Sequence, residues 1–382
     1  MRRLPLHGLL VADFSRVLAG PLCTQMLADA GARVIKVEEP ERGDETRHWG
    51  PPFLGDVAAY FLSVNRRKES LAIDLKSDEG RDVARRLIER ADVVVDNFLP
   101  MQREALLGDV RKINPRAVHC SIVGYDSDTP DAARPGYDLL AQAGAGLMSI
   151  TGDPEGEPMK IGVALSDVLT AHHAFGAICA ALYAGRGVSI EVSLFSATLA
   201  SLANVAQNVL VTGNEAKRYG NAHPSIVPYQ LFHGSDRAFA IGVGTDRHFQ
   251  LLCERVIERP ELARDERFAT NIARVRNREA LVSLLEAMFR ERSARHWITR
   301  CRKVAIPCSL VQGVREALRS PAGRALVVDA GTHESVRYPV RFDGERVPGG
   351  SAPPKLGEHT NKIVRELNRA LPKGRGRGRR RR

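Results

Sequence analysis

Asp167 is the residue of this chain best placed by its neighbours to do covalent chemistry. It stands in Ile161-Gly162-Val163-Ala164-Leu165-Ser166-Asp167-Val168-Leu169-Thr170, where a glycine-containing apolar approach meets a carboxylate that opens a long Ala-rich helical stretch. Peptide dipoles and free N–H groups at a helix N-terminus favour the ionised form of such a carboxylate and leave it nucleophilic at neutral pH. Ser and Asp are also the ordinary helix N-caps, so the local sequence by itself favours capping, and it is the surrounding chain that points to chemistry. A second group suits phosphate: Arg66, Arg67, Lys68 and Lys76 supply cations that complement a pyrophosphate, although a charge run is also the usual make-up of a solvated face. The six cysteines, Cys23, Cys120, Cys179, Cys253, Cys301 and Cys308, include no CxxC pair and no His/Cys spacing that would gather a metal. No metal site is expected, and a reducing cytoplasm is the natural setting for such cysteines.

The elements that must hold these residues read as β-α-β units. Leu9 to Phe14 is a short apolar run ending near Asp13, followed by a Gly20-Pro21 turn, a helix through Met26 and Leu27, and a strand over Val34 to Glu38. Such a start implies a parallel sheet with helices on its faces. Ser77 is set to cap a helix whose apolar positions are Val83, Leu87 and Ile88, and Val93-Val94-Val95 and Val118 to Val123 follow as buried strands. The layout is that of a Rossmann-like α/β domain. It lacks a dinucleotide loop, since Ser15 to Pro21 contains no GxGxxG and Glu38 identifies no ribose partner without one. Past the helix from Asp167 to Ala184 the pattern changes: Leu231 to Val243 reads as a β pair around Ser235-Asp236, and Leu281, Leu284, Leu285, Met288 and Phe289 mark an amphipathic helix. The expected division is a large domain over 1–200, a linker over 201–224, a smaller α+β domain over 225–325, a return to the large domain over 326–370, and a tail over 371–382.

The 382 residues carry a formal net charge of +11, which on its own suggests a nucleic-acid binder. Seven of the basic residues stand between Lys373 and Arg382 with no acidic one among them, which leaves +4 for the rest of the chain. A Gly/Arg run without interleaved aromatics is expected to be a disordered, solubilising tail, and nucleic acid is not the expected partner. The start has no apolar stretch of signal-peptide type and no run approaches transmembrane length, so a soluble cytoplasmic protein is expected.

Several short motifs then fall in one order: Arg16-Val17-Leu18-Ala19-Gly20-Pro21, Gly31 to Glu38, Gly43-Asp44-Glu45-Thr46-Arg47, Asn65-Arg66-Arg67-Lys68, Asp96-Asn97-Phe98, Pro135-Gly136-Tyr137-Asp138, the Asp167 segment, Gly220-Asn221-Ala222-His223-Pro224, Asp265 to Asn271, Ile306-Pro307 and Leu356-Gly357-Glu358-His359-Thr360. The ordered set resembles the family III CoA-transferases, the formyl-CoA and carnitine CoA-transferase group, over nearly everything but the basic tail. The resemblance implies an acyl-CoA:carboxylate CoA-transferase in which Asp167 forms an aspartyl-CoA thioester. It also implies a CoA site at Leu18, Ala19, Ile73, Asp74, Leu75, Lys76, Asn97, Phe98, Leu99, Gly136 and Tyr137, and an interlocked homodimer. CoA enters as substrate, with no prosthetic group. Gly220 is a candidate oxyanion donor, and succinyl-CoA with a short dicarboxylate is the expected substrate pair, because the polyglycine loop of some formyl-CoA transferases is missing and Arg16 could hold a second carboxylate.

Two departures and two alternatives belong beside that reading, one departure being that the first-loop histidine or glutamine of some formyl-CoA transferases is replaced here by Arg16 and Leu18. The arginine that some members use after the Asn-Phe motif aligns with Ala105, with Arg103 two positions out of register. An α-methylacyl-CoA racemase of the same family needs a histidine where this chain has Tyr137, and a phenol of ordinary pKa ~10 is a poor proton shuttle at neutral pH. His172 and His173 follow Asp167 by five and six residues, a spacing that turns them away from it on a helix. The other alternative, a nonenzymatic CoA-binding or RNA-contacting protein, would be favoured by loss of Asp167, which is present.

Overall fold

The computed structural model describes residues 3–369, so the basic run 373–382 and the expected tail 371–382 lie outside the described residues. The described residues divide into two compact units, one formed by 3–147, 160–214 and 325–369 and the other by 148–159 and 215–324. Segment 148–159 thus goes with the second unit, whereas the sequence reading keeps it in the large domain.

The first unit is built on a six-stranded sheet. Its strands are β1 (Leu10–Asp13), β2 (Arg33–Glu38), β3 (Lys68–Ala72), β4 (Val93–Asp96), β5 (Val118–Val123) and β6 (Val188–Ser193), in the order β3-β2-β1-β4-β5-β6, every neighbour parallel. Period-two alternation feeds two cores. Val93 and Val95 pack with Val11, Val118 and Cys120 against α1 (Ala19–Asp29) and the long helix over Leu165–Ala184, while Val94 packs with Ala12, Ile35 and Val37 against α2 (Asp78–Arg90). Ser77 caps α2, its hydroxyl accepting the Gly80 N–H at 3.0 Å. The order reverses between β1 and β4, and in open parallel sheets ligands bind beyond the carboxyl ends of the strands at such a point.

Two of these strands, β3 and β6, are absent from the sequence reading. β3 is unusual because its polar residues are buried: Lys68 reaches Asp13 at 3.0 Å, the Pro21 carbonyl at 2.9 Å and Asn65 at 2.9 Å, and Ser70 donates to Glu38 at 2.7 Å. Burial pushes Asp13 up, but Lys68, Lys36 and the Ser15 and Thr24 hydroxyls more than offset this and hold it near 2. Arg66 is likewise buried, paired with Asp29 at 3.0 Å and donating to the Gly349 and Val336 carbonyls, and Arg67 turns to Asp29 and the Pro348 carbonyl. The segment Pro348 to Pro354 therefore returns to the first unit by accepting hydrogen bonds from its arginines.

Among the other helices of this unit are α3 (Pro100–Leu107), α4 (Asp138–Gly144), α5 (the Leu165–Ala184 helix), α6 (Leu194–Ala200) and α7 (Thr360–Asn368). Contrary to the sequence reading, α5 is long and apolar enough to cross a membrane by length and composition. About a third of that stretch is buried, and it packs beside α1, α4 and α6.

The second unit holds a three-stranded antiparallel sheet, β7 (Tyr229–His233), β8 (Ala238–Gly242) and β9 (Cys308–Leu310), with β8 central. Its core is aromatic, Phe289 meeting Phe232, Phe239 and Trp297 edge-on at ring separations of 5.0, 5.2 and 5.2 Å. On the helix Arg278–Phe289 it is Leu281, Leu285 and Phe289 that are buried, while Leu284 is left exposed.

Candidate active site

The loop Ser15 to Leu18 leaves β1 at the point where the strand order reverses, and the sequence forces it close to the helix that follows. A Cβ on Gly20 would lie 2.2 Å from Ser15, so only glycine lets the loop fold back over the start of α1. Val17 is held in the left-handed region at φ 72°, its N–H donating to the Asp44 carboxylate at 3.2 Å. The Asn97 side chain clamps the same loop from the end of β4: its Oδ1 accepts the Arg16 N–H at 3.0 Å and its Nδ2 donates to the Arg16 carbonyl at 2.8 Å. The Ala19 N–H, at the first position of α1, donates to the carboxylate of Asp167.

Asp167 is the third residue of α5, not its N-cap; that position belongs to Ala164, which has no side-chain cap. The cap is supplied from outside, by Asp138, whose Oδ1 accepts the Ser166 N–H at 2.9 Å. This arrangement corrects the expectation of a readily ionised carboxylate. Burial, and then the charge of Asp138, push Asp167 up to about 7 against the pull of the Ala19 N–H, so the helix terminus does not win. Such a group divides its population between acid and carboxylate at neutral pH, and it is a stronger base when ionised than an ordinary aspartate.

Two adjoining cavities lie at the strand ends. The one holding Asp167 has a volume of about 220 Å³, and Ala19, Asn97, Phe98, Leu99, Gly136 and Tyr137 line it too. Gly136 is there of necessity: a Cβ would meet the Cα of Gly124 at 2.2 Å, where the two backbones cross. The other has a volume of about 440 Å³ and takes Ile73, Asp74, Leu75 and Lys76 into its wall, with the buried Lys36 and Asp44 beneath. Arg16, Phe98 and Gln102 belong to both walls. Of the residues expected at a CoA site, Leu18 lines neither cavity and sits instead at the N-cap position of α1.

The basic residues sort by burial. Arg66, Arg67 and Lys68 do not line either cavity, because their charges are satisfied by Asp29 and Asp13, so the expectation that they hold phosphate is withdrawn. Of that group Lys76 alone lines either of these two cavities, and it is exposed. The other cations there are the buried Lys36, held by Asp44, and Arg16, half-exposed and paired with Glu45 at 3.0 Å. Ala105 lines the larger cavity and Arg103 does not. His172 bonds the Val168 carbonyl of its own helix at 2.7 Å, and both it and His173 are exposed. Gly220 belongs to the second unit, where it packs near Pro154.

Three residues of the site have no assigned role in the sequence reading. Asp138 is one; its Gln142 partner four residues on, donating at 2.8 Å, is the only local signal for it. Tyr60 is another, pushed up to about 12 by burial and then by the charges of Asp167, Asp138 and Asp44. Gln102 is the third, and nothing in its spacing marks it. Among the described residues no group of His, Cys, Asp and Glu is arranged to hold a metal.

Comparison with known proteins gives one consistent answer. The family described as CoA-transferase family III matches residues 6–360. A succinyl-CoA:glutarate CoA-transferase of Homo sapiens is 38% identical over 379 residues, spanning 96% of this chain and 86% of its own length. A succinate--glutarate CoA-transferase of Agrobacterium fabrum is 39% identical over 389 residues, spanning 96% of each. The crystal structure of a CAIB/BAIF family protein from Brucella suis superposes with a TM-score of 0.86 at 41% identity, covering 96% of this chain and all of that one.

Proposed function

The chain belongs to CoA-transferase family III, and on that premise we propose that Asp167 is its nucleophile, that the two adjoining cavities take the acyl-CoA, and that the acids it exchanges are short dicarboxylates. The protein is a CoA-transferase that moves CoA from an acyl-CoA thioester to a carboxylic acid. One observation carries the rest: a half-buried carboxylate, raised to about 7, opens into the same cavity as the residues expected to meet the thioester.

The chemistry follows from that carboxylate. An Asp167 oxygen attacks the thioester carbonyl, the C–S bond breaks, and CoA departs as thiolate, leaving a mixed anhydride of Asp167 and the acyl group. The thiolate attacks the aspartyl carbonyl of the anhydride and expels the donor acid as carboxylate, giving aspartyl-CoA. The acceptor carboxylate attacks this thioester, and the returning thiolate takes the acceptor acyl group and regenerates Asp167. Every intermediate is an activated acyl group, so the steps stay close in free energy and no ATP is needed. A carboxylate with raised basicity is a better nucleophile in the first step, and burial beside Tyr60 withholds the water that would hydrolyse the anhydride.

The dicarboxylate reading rests on the two relatives whose names carry succinate and glutarate, and on Arg16, a residue of the shared wall whose guanidinium pairs with an exposed Glu45 and lies over the Phe98 ring at 5.8 Å. A bidentate arginine is the natural holder of a second carboxylate. Homodimerisation is supported by unpartnered apolar surface on the first unit: Tyr183 at the end of α5 is 96% exposed, and Leu210 and Val211 are 78% and 74% exposed.

Trapping tests the mechanism. Protein incubated with acyl-CoA and then with hydroxylamine or borohydride should be modified on the peptide that contains Asp167, and Asp167→Ala should lose transfer by on the order of a thousandfold or more while still binding CoA. A label on another peptide, or substantial turnover in Asp167→Ala, would overturn the assignment.

A further inference from the structure

The wall that the two cavities share is held from beneath by a buried histidine that no part of the transfer chemistry uses. His119 on β5 points its Nε2 at Asp96 Oδ2, 2.7 Å away at the end of β4, and Ser121 Oγ donates to the same oxygen at 3.0 Å. Asp96 is fully buried, and His119 and Ser121 are 8% and 5% exposed. The other oxygen of Asp96 accepts the Phe98 N–H at 3.2 Å. Phe98 belongs to the wall of both cavities, and its neighbour Asn97 makes the paired hydrogen bonds that fix the Arg16 backbone. Two sets of hydrogen bonds, joined through the Asn97–Phe98 peptide, therefore lead from the sheet, through one carboxylate, to the loop and the backbone of Arg16 at the mouth of the site.

We propose that His119 is a positioning residue for acyl-CoA binding: by orienting Asp96 it sets the Asn97–Leu99 loop and, through Asn97, the backbone of Arg16, without touching substrate. The physical ground is that a buried carboxylate binds only as precisely as its partners hold it. Asp96 Oδ1 faces the loop, and rotation of the carboxylate about its own bond would take that oxygen off the Phe98 N–H. His119 and Ser121, both on the neighbouring strand β5 and both bonded to Oδ2, prevent the rotation. An apolar residue at 119 would pack in the same space and keep the strand, yet would release one of the two restraints and leave Asp96 with a lone pair unmet.

This inference rests on the adjoining cavities being the acyl-CoA site, and the experiment separates the two. Initial rates are measured over acyl-CoA and acceptor concentrations for wild type, His119→Leu, His119→Gln, His119→Asn, Asn97→Ala and the double variant His119→Leu/Asn97→Ala, with thermal unfolding of each. Gln can offer an N–H where His Nε2 stands, whereas Asn is too short to reach Asp96. The expected result is a KM for acyl-CoA raised about tenfold in His119→Leu and His119→Asn, near-normal kcat, and recovery to within about threefold in His119→Gln, as for the loss and return of one buried hydrogen bond to a charged group. The double variant should raise KM by less than the product of the single effects, because both act through one loop. If the His119 variants lower the unfolding temperature but leave KM unchanged, or if Gln and Asn behave alike, or if the effects multiply independently, His119 is structural only and the proposal is wrong. Should His119→Leu fail to fold, the comparison of Gln with Asn decides. If Asn97→Ala itself leaves KM for acyl-CoA unmoved, it is the site reading that fails.

Discussion

Asp138 accepts the backbone N–H of Ser166 at 2.9 Å, and so brings its charge against Asp167, the next residue along α5. One contact thus does two opposed things. It satisfies an N–H at the start of the helix that carries Asp167, and it makes that carboxylate harder to ionise. Burial is the larger cause of the rise to about 7, and Asp138 adds to it.

A pH dependence with a definite sign follows. Below about pH 7 Asp167 is protonated and cannot attack, so kcat/KM for acyl-CoA should climb with pH and level off above that midpoint. Asp138→Asn keeps an oxygen for the Ser166 N–H but removes the charge, so its midpoint should move to lower pH. A profile for the wild type that is flat between about pH 5 and 8 would sink this account.

Stability should carry the same signature with the opposite slope. The folded-state pKa of Asp167 is raised above its ordinary value of 3.8, so the stabilisation it gives when protonated is complete at low pH and is lost as pH rises through about 7. Asp167→Asn cannot ionise and should be the more stable protein at pH above about 7, by about 1–2 kcal/mol once solvent screening of this partly buried group is allowed for. The difference in urea midpoint between variant and wild type, measured above and below pH 7, checks it. A wild type that stays the more stable at high pH would contradict it.

The basic residues give a paired test. Lys76→Ala should weaken CoA binding by on the order of 1–3 kcal/mol in a titration while leaving the unfolding temperature near wild type, since Lys76 is exposed at the cavity wall. Arg67→Ala should do the reverse, lowering stability by stripping the buried Asp29 of a partner and leaving CoA affinity close to normal. Equal loss of CoA affinity in both would restore the phosphate role that the structure removes from Arg67.

Gly136 ties packing to function. A methyl group there would stand 2.2 Å from the Gly124 Cα, so Gly136→Ala must push two backbones apart, at a cost of about 1–3 kcal/mol. Because Gly136 also lines the Asp167 cavity, KM for acyl-CoA should rise with the fall in melting temperature. An unchanged melting temperature would show that the backbone at Gly136 has room for a methyl group.

How far the sequence could be read depends on where each residue's partners come from. Val93-Val94-Val95 and Val118 to Val123 are legible because continuous apolar runs need only a sheet with two covered faces. Lys68 to Ala72 forms the edge strand of the same sheet and is not legible, since Lys68 and Ser70 look like surface until Asp13 and Glu38, distant in sequence, arrive to satisfy them. The same long-range pairing misdirects the reading of Arg66 and Arg67. Ordered motifs pick out Asp167, Asn97 and Gly136 as a set, and the fold brings them to one cavity, yet no local pattern shows that Asp138 caps the nucleophile's helix from another element or that Tyr60 lies close by. The direction of the Asp167 shift is lost for the same reason. A helix terminus is visible in sequence; the burial and the second carboxylate that outweigh it are not.

Arg16 offers the sharpest statement about substrate. It lies at the wall common to both cavities, its backbone is clamped by Asn97, and its side chain is free to leave Glu45, an ion pair exposed on both sides and so worth little, ~0–1 kcal/mol. A second carboxylate on the acceptor would compete well for a guanidinium that is already anchored at its backbone. Arg16→Gln should therefore raise KM for a dicarboxylate acceptor such as glutarate by about tenfold, equivalent to ~1.4 kcal/mol, while changing KM for a monocarboxylate of equal chain length by less than about threefold. Both acceptors are assayed with one acyl-CoA donor at saturation, so that CoA contacts cancel. Equal increases for the two acids would mean that Arg16 serves CoA or the loop and not the distal carboxylate. No increase for either would remove Arg16 from the site, and with it the physical argument for a dicarboxylate, leaving that reading to rest on the named relatives alone.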